Sequence, residues 1–169
     1  GGGGVCVFKD NLTIPGSVIR NCVIESNNAE ATYGGGVRVA NGTLVDNCTI
    51  RYNRALYGGG ACLSGGQAST LRSCLLCYNS AAGAGSGIVL SGVSTNLVEN
   101  CTVVSNVVVS SDTIGCVDIR YADSLLDMRN TIVYYNYKTN GVLYNIYPLG
   151  SVRSATNCCM FPTNGIAGT

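Results

Sequence analysis

One heptapeptide recurs along the chain, and its recurrence limits the choice of fold more than any other feature. It reads NCVIESN from Asn21, NCTIRYN from Asn47, SCLLCYN from Ser73, NCTVVSN from Asn100 and NTIVYYN from Asn130. A fainter copy, NCCMFPT, starts at Asn157. Successive starts lie 26, 26, 27, 30 and 27 residues apart. Periods of this size mark solenoids, in which each unit buries its apolar face only against its neighbours. The units show no 3.6-residue periodicity. They are short, β-rich and broken by Gly and Asn, which points to strands. A glycine motif precedes the later copies: YGGGVRV at 33–39, YGGGACL at 57–63, AGSGIVL at 84–90 and IGCVDI at 114–119, with GGGVCV at 2–7 as its first occurrence.

Stacking the copies produces columns of small and medium apolar residues. One runs Ile19, Val45, Leu71, Val98, Met128, Ala155; another Cys22, Cys48, Cys74, Cys101, Thr131, Cys158. A third runs Ile24, Ile50, Leu76, Val103, Val133, Met160, and a fourth Ala29, Ala55, Ala81, Val108. Coils stacked about 4.8 Å apart place each residue on its equivalent in the next coil. Ile19 and Cys22 are three residues apart, so a turn at Arg20–Asn21 is needed to keep both side chains inside. Asn tolerates the left-handed backbone of such a turn. Asn21, Asn47, Ser73, Asn100, Asn130 and Asn157 are then expected to form a hydrogen-bonded ladder, and Asn27, Asn53, Asn79, Asn106 and Asn136 a second. The expected fold is all-β, a single-stranded right-handed parallel β-helix of about six coils of 26–30 residues; the hand follows the bias of parallel crossovers. Residues 1–169 read as a single β-solenoid, a segment of a longer repeat protein or a stacking unit.

These motifs carry a family resemblance. Gly35–Gly36–Val37 and Gly59–Gly60–Ala61 are similar to the GGA-plus-aliphatic motif of the chlamydial polymorphic membrane proteins. Ile24-x-x-Asn27, Ile50-x-x-Asn53, Leu76-x-x-Asn79, Val103-x-x-Asn106 and Val133-x-x-Asn136 follow its Phe-x-x-Asn motif, with an aliphatic residue in place of Phe. The chain resembles that group and other bacterial autotransporter passengers from Gly2 to about Asn136. The resemblance implies a surface-exposed or secreted β-helix used in adhesion, outside the cell or on the bacterial surface.

Composition removes several function classes. The formal net charge is +1 and 11% of residues are charged, whereas nucleic-acid binding needs clustered Lys and Arg. No apolar run is long enough to span a membrane. His is absent, which removes Ser-His and Cys-His triads. The glycine runs lack the Gly-Lys-Ser/Thr of a phosphate loop. The densest polar group is Asp112, Asp118, Arg120, Asp123, Asp127 and Arg129. It invites acid–base or calcium chemistry, but it comes from one coil, and Asp118 is expected to stack near Val89; surface charge is the preferred reading. Among ten Cys, Cys74-x-x-Cys77 is the one short pair and has no partner pair at zinc spacing. Parallel in-register stacking keeps Cβ atoms near 4.8 Å, beyond usual disulfide reach. Cys22, Cys48, Cys74 and Cys101 are therefore expected to be an unbridged thiol ladder, with the pairing of Cys6, Cys62, Cys77, Cys116, Cys158 and Cys159 left open. No metal or cofactor is expected.

Tyrosines give the best binding hint. Tyr52, Tyr78 and Tyr135 share a column, Tyr134 and Tyr137 lie beside the last, and Tyr33 and Tyr57 stack before their glycines. Exposed aromatic rows hold sugar rings or protein surfaces, but cross-coil stacking that supports the sheet is the simpler account. The expected function is non-enzymatic: an adhesin-like solenoid segment presenting an extended surface to carbohydrate or a cell-surface protein. The alternatives are a fibre subunit stacking head to tail, and a polysaccharide lyase or glycosidase. The open repeat at Gly1–Val7 suggests that further coils of the same chain, or a second copy, cover that edge. A charge row, Arg20, Asp46, Arg72, Glu99, Arg129, alternates in sign from coil to coil.

Overall fold

Because β-rich segments recur at a near-constant period, each strand meets its own equivalent one turn later, and the chain winds into parallel sheets. A computed structural model describes residues 2–8, 16–109, 115–139, 145–148 and 150–161; Asp112 lies outside them. Four sheets run the length of the coil. Face A contains Val5–Val7, Val37–Ala40, Ala61–Ser64, Ile88–Leu90, Val117–Ile119 and Ile146–Pro148. Face B contains Val18–Arg20, Leu44–Asp46, Thr70–Arg72, Thr95–Glu99, Leu125–Arg129 and Ser151–Thr156. Face C contains Val23–Glu25, Thr49–Arg51, Leu75–Cys77, Thr102–Val104, Ile132–Tyr134 and Cys159–Phe161. Face D has five strands: Asn28–Tyr33, Arg54–Tyr57, Ser80–Ala84, Val107–Val108 and Tyr137–Lys138. The described strands make five complete turns and most of a sixth. Every pairing is parallel, in the register the columns require: Ile19 on Val45, Ile24 on Ile50, Ala29 on Ala55.

The core is the inside of the coil. Val37, Val45, Ile50, Leu63, Leu71, Leu76, Ile88, Val98, Val103, Ile119 and Met128 are all fully buried there. Spacing along the chain is fixed on one side and free on the other. Five residues separate Ile19 from Ile24 and Ile24 from Ala29, and the next turns repeat this through Val45–Ile50–Ala55, Leu71–Leu76–Ala81 and Val98–Val103–Val108. From face D to face A the step varies: eight residues from Ala29 to Val37, six from Ala55 to Ala61, seven from Ala81 to Ile88. Register shifts on face D, between Ala29 and Tyr33 and between Ala81 and Ala84, absorb part of that difference.

The two asparagine columns behave differently. At the B–C corner the Asn itself turns the chain: Asn21, Asn47, Ser73, Asn100, Asn130 and Asn157 all have φ between 48° and 57°. Their exposed side chains bond in register, Asn47 Nδ2 to Asn21 Oδ1 (2.9 Å), Asn130 to Asn100 (3.1 Å) and Asn157 to Asn130 (3.3 Å), on either side of Ser73. At the C–D corner the residue before the Asn takes the left-handed conformation: Ser26, Tyr52, Tyr78, Ser105 and Tyr135, with φ between 49° and 58°. The Asn then points inward. Asn79 Oδ1 accepts from the backbone N–H and Nδ2 of Asn53 (3.0 and 3.1 Å). Asn79 Nδ2 donates to Ile50 O and Asn106 Oδ1 (both 2.9 Å). Asn53, Asn106 and Asn136 repeat the pattern, and Asn136 Nδ2 passes it on to Asn145. This continuous amide chain satisfies donors and acceptors that burial would otherwise leave unmade.

All ten cysteines are free thiols. In the Cys22–Cys48–Cys74–Cys101 column each Sγ donates to the carbonyl two residues back, at 3.1 to 3.3 Å, and Thr131 makes the same bond at 2.8 Å. Burial pushes Cys62 up to about 11 and Cys116 up to about 12, so both are inert small hydrophobes at neutral pH. Cys77, on the outer side of face C, is also buried. In the charge row, Asp46 Oδ2 accepts from Arg20 Nε (2.8 Å) and Asp46 Oδ1 from Arg72 Nε (3.0 Å); these two bonds, Arg72's first, hold the Asp46 carboxyl down at about 2. Glu99 and Arg129 follow in register, and Glu25 pairs with Arg51 at 2.6 Å.

Candidate functional site

Two surface regions carry chemistry. The first is the C–D corner. Tyr52 and Tyr78 occupy its left-handed positions on adjacent turns, their rings 5.2 Å apart and within 8° of parallel. Both are half exposed, and Arg51 lies over the outer Tyr52 ring at 5.7 Å. On the next turn the position is Ser105, and on the turn after that it is Tyr135, which is 65% exposed and packs edge-on to Tyr134 at 4.2 Å. Tyr137 is exposed at the start of the last face D strand. The predicted tyrosines therefore form two groups, Tyr52–Tyr78 and Tyr134–Tyr135, parted by one turn.

The second region lies on the outside of face A. Side chains on a strand alternate between faces, so Cys6, Arg38, Cys62, Val89, Asp118 and Tyr147 point outward in one stacked column. Cys62, Val89 and Asp118 are nonetheless buried. A stack of flat groups lies beside them: Phe8 against Arg38 (5.2 Å), Arg38 against Tyr33 (5.6 Å), Tyr33 against Tyr57 (5.0 Å), and Arg120 over Tyr57 (4.0 Å). Glycine is needed where the chain enters this region: Gly58 has φ 68°, and a Cβ there would meet Ala61 O at 2.5 Å and Val89 Cγ1 at 2.6 Å. Asp118 pairs with Arg120 at 3.5 Å, its Oδ2 has no hydrogen bond, and burial pushes its carboxyl up to about 6 against the pull of Arg120. Burial likewise raises Tyr33, opposed by Arg120. Beyond this cluster an open cleft of about 330 Å³ is lined by Gly65, Ser91, Gly92, Val93 and Tyr121, and Ser91 Oγ meets Cys62 Sγ at 3.2 Å.

The acidic group singled out in the sequence is dispersed. Asp118 sits on face A in register with Val89, as the columns require. Asp127 is held on face B by Arg153 and by Ser154 Oγ (2.9 Å), and Asp123 is exposed. Among the described residues no group of three His, Cys, Asp or Glu side chains is placed to hold a metal ion, and no helix is long and apolar enough to cross a membrane. Sequence reasoning missed the buried outer column and the part played by Arg38 and Phe8. The available signal was apolar Cys62 and Val89 at outward positions, where alternation calls for polar residues.

Neither the curated proteins nor the solved structures include a significant match to this chain. The model of the right handed beta helix region matches residues 1–158, nearly all of the coiled stretch, and the chain belongs to that family of right-handed parallel β-helices.

Proposed function

We propose that this chain is a non-enzymatic β-solenoid of a bacterial surface or secreted protein, of the adhesin or passenger kind, that binds a carbohydrate or cell-surface protein through the tyrosine corner. One observation carries the reading. Tyr52, Tyr78 and Tyr135 sit at φ of 49° to 55°, a conformation that is an outlier for a bulky side chain and costs roughly 1–2 kcal/mol per residue outside Gly and Asn. Serine fills the same position at 26 and 105, and the B–C corner uses only Asn and Ser. Bulky aromatics held half exposed against backbone preference, when polar residues make the same turn, fit selection for what the rings present. Tyr carries a large amphipathic surface at low side-chain entropy cost.

The test replaces Tyr52 and Tyr78 together by Asn, which relaxes the backbone. On a glycan array and against intact cells, the double variant is expected to lose at least tenfold in binding while its unfolding midpoint stays at or above that of wild type. If instead the midpoint falls by more than about 2 kcal/mol of stability, the stacked pair serves the sheet. Unchanged binding removes the corner from function.

One observation favours a second reading, a carbohydrate-active enzyme: burial raises the Asp118 carboxyl to about 6, and Tyr121, further along the same turn, lines an open cleft. Against it, Asp118 is 1% exposed and is the one carboxylate in its outward column, whereas glycoside hydrolysis uses two acids facing one bond. Release of reducing ends from plant or bacterial polysaccharides, abolished by Asp118→Asn, would establish the enzyme.

A further inference from the structure

Asn-x-Thr, the acceptor sequence for N-linked sugars, occurs at Asn11, Asn41, Asn47 and Asn100. We propose that Asn100 is an N-glycosylation site, opened by the break in the exposed asparagine ladder at Ser73. The proposal is independent of the tyrosine corner, from which face C separates it.

The structure sorts these sequences by what their side chains already do. Asn11 lies outside the described residues. Asn41 is buried, and its Oδ1 accepts from the backbone N–H groups of Gly66 (2.9 Å) and Gln67 (3.3 Å). Thr43 is buried too, and its hydroxyl donates to Ala40 O at 2.7 Å. Neither group is presented to an enzyme. Asn47 is exposed, but its Nδ2 donates to Asn21 Oδ1 at 2.9 Å. Asn100 is exposed and keeps its nitrogen. Its Oδ1 accepts from Asn130 Nδ2 at 3.1 Å, which leaves Nδ2 on the side of the preceding turn. There the register places Ser73, whose side chain is too short to stand in for an Asn. Among the described residues, Asn100 Nδ2 donates no hydrogen bond. Thr102 stands half-buried in the outward column of face C, between Leu75 and Ile132.

The chemistry uses the free nitrogen. Asn100 Nδ2 attacks the anomeric carbon of a glycosyl diphosphate. The bond from that carbon to the diphosphate oxygen breaks, the diphosphate leaves with the electron pair, and one Nδ2 proton passes to a base of the transferase. At Asn47 the bond to Asn21 competes with this step; at Asn100 nothing is displaced. The product amide keeps its oxygen and one N–H, so the bond from Asn130 and the turn at φ 53° survive modification.

The experiment incubates the folded full chain with two kinds of donor. One is a lipid-linked oligosaccharide with an oligosaccharyltransferase that accepts plain Asn-x-Thr; the other is a nucleoside-diphosphate hexose with a soluble N-glycosyltransferase. The arm that labels the protein identifies the source of the sugar, and peptide mass spectrometry reads occupancy at each Asn. We expect at least tenfold more sugar on Asn100 than on Asn47, and none on Asn41. Ser73→Asn supplies the missing ladder partner without creating a new acceptor sequence, and should lower Asn100 occupancy at least tenfold. Thr102→Val should abolish it. Asn21→Ser moves the break by two turns and should raise Asn47 to the wild-type level of Asn100. Unfolding midpoints report whether each variant folds. No sugar on Asn100 in either arm overturns the site. Equal occupancy of Asn47 and Asn100, or occupancy that neither Ser73→Asn nor Asn21→Ser alters, overturns its opening by the ladder break.

Discussion

The two asparagine ladders use the same residue at the same period, yet they differ in nearly every physical respect. The B–C ladder is exposed, is interrupted at Ser73, and offers each side chain water as an alternative partner. The C–D ladder is unbroken from Asn27 to Asn136 and buried from Asn53 onward, and each inner amide bonds to the neighbouring turns. Hydrogen bonds to an exposed group exchange one partner for another, whereas a buried group left unmade bears its full desolvation cost. Residue identity alone therefore says little about energetic weight. The side of the coil on which the amide lies decides it.

The sharpest way to break this contrast is to truncate the centre of the buried ladder. Asn79→Ala leaves the Asn53 backbone N–H and Nδ2 without their acceptor and Ile50 O without its donor. At about 1–3 kcal/mol for each buried orphan, the expected loss is about 3–5 kcal/mol, read from urea unfolding midpoints. A loss below about 1 kcal/mol would mean that water replaces the amide and that the two ladders are equivalent.

Asp118 extends the comparison to an outward position that behaves as an inward one. Its folded-state carboxyl is raised, so the native state holds a proton that the unfolded chain has lost between pH 4 and 6. Stability is then fully present below the unfolded value near 3.8 and falls as pH rises through about 6. Asp118→Asn should therefore stabilise the protein by about 1–3 kcal/mol at pH 7.5, with little effect at pH 4. Equal effects at both pH values would show that Asp118 ionises normally.

The exposed ladder supplies the smaller effects. Asn47→Gly keeps the left-handed turn open to the backbone and removes one exposed bond, so its midpoint should shift by no more than about 0.5 kcal/mol. Beside that ladder, Arg72→Glu places an acid between Asp46 and Glu99 in register. It should lower the midpoint at low salt and recover most of the difference at 1 M salt, where exposed charges are screened.

The repeat made the coil, its columns and its register legible, because parallel in-register stacking gives every equivalent residue the same surroundings. The alternating charge row was legible for the same reason. The heptapeptide hid one distinction by having Asn at both ends: nothing in NCTIRYN reveals that Asn47 makes the turn itself while Tyr52 makes it for Asn53. The candidate corner thus showed as a column of tyrosines, but not as tyrosines in a disfavoured backbone conformation. The buried outer column of face A was less accessible still. Its cover joins Phe8, Arg38, Tyr33, Tyr57 and Arg120 from different turns, and no periodicity in the sequence announces contacts of that kind.

The constant five-residue steps from Ile19 through Ile24 to Ala29, and their copies, have a consequence for how such a chain can change over generations. Length differences between turns collect where face D passes to A and where A passes to B, so insertions there leave the other half of the perimeter undisturbed. One edge of the rod is free to diversify while the opposite edge keeps a fixed ruler of about 4.8 Å per turn. The tyrosines stand on the ruled edge, so a lineage could remodel its loops freely and still present its aromatic rings at the same spacing.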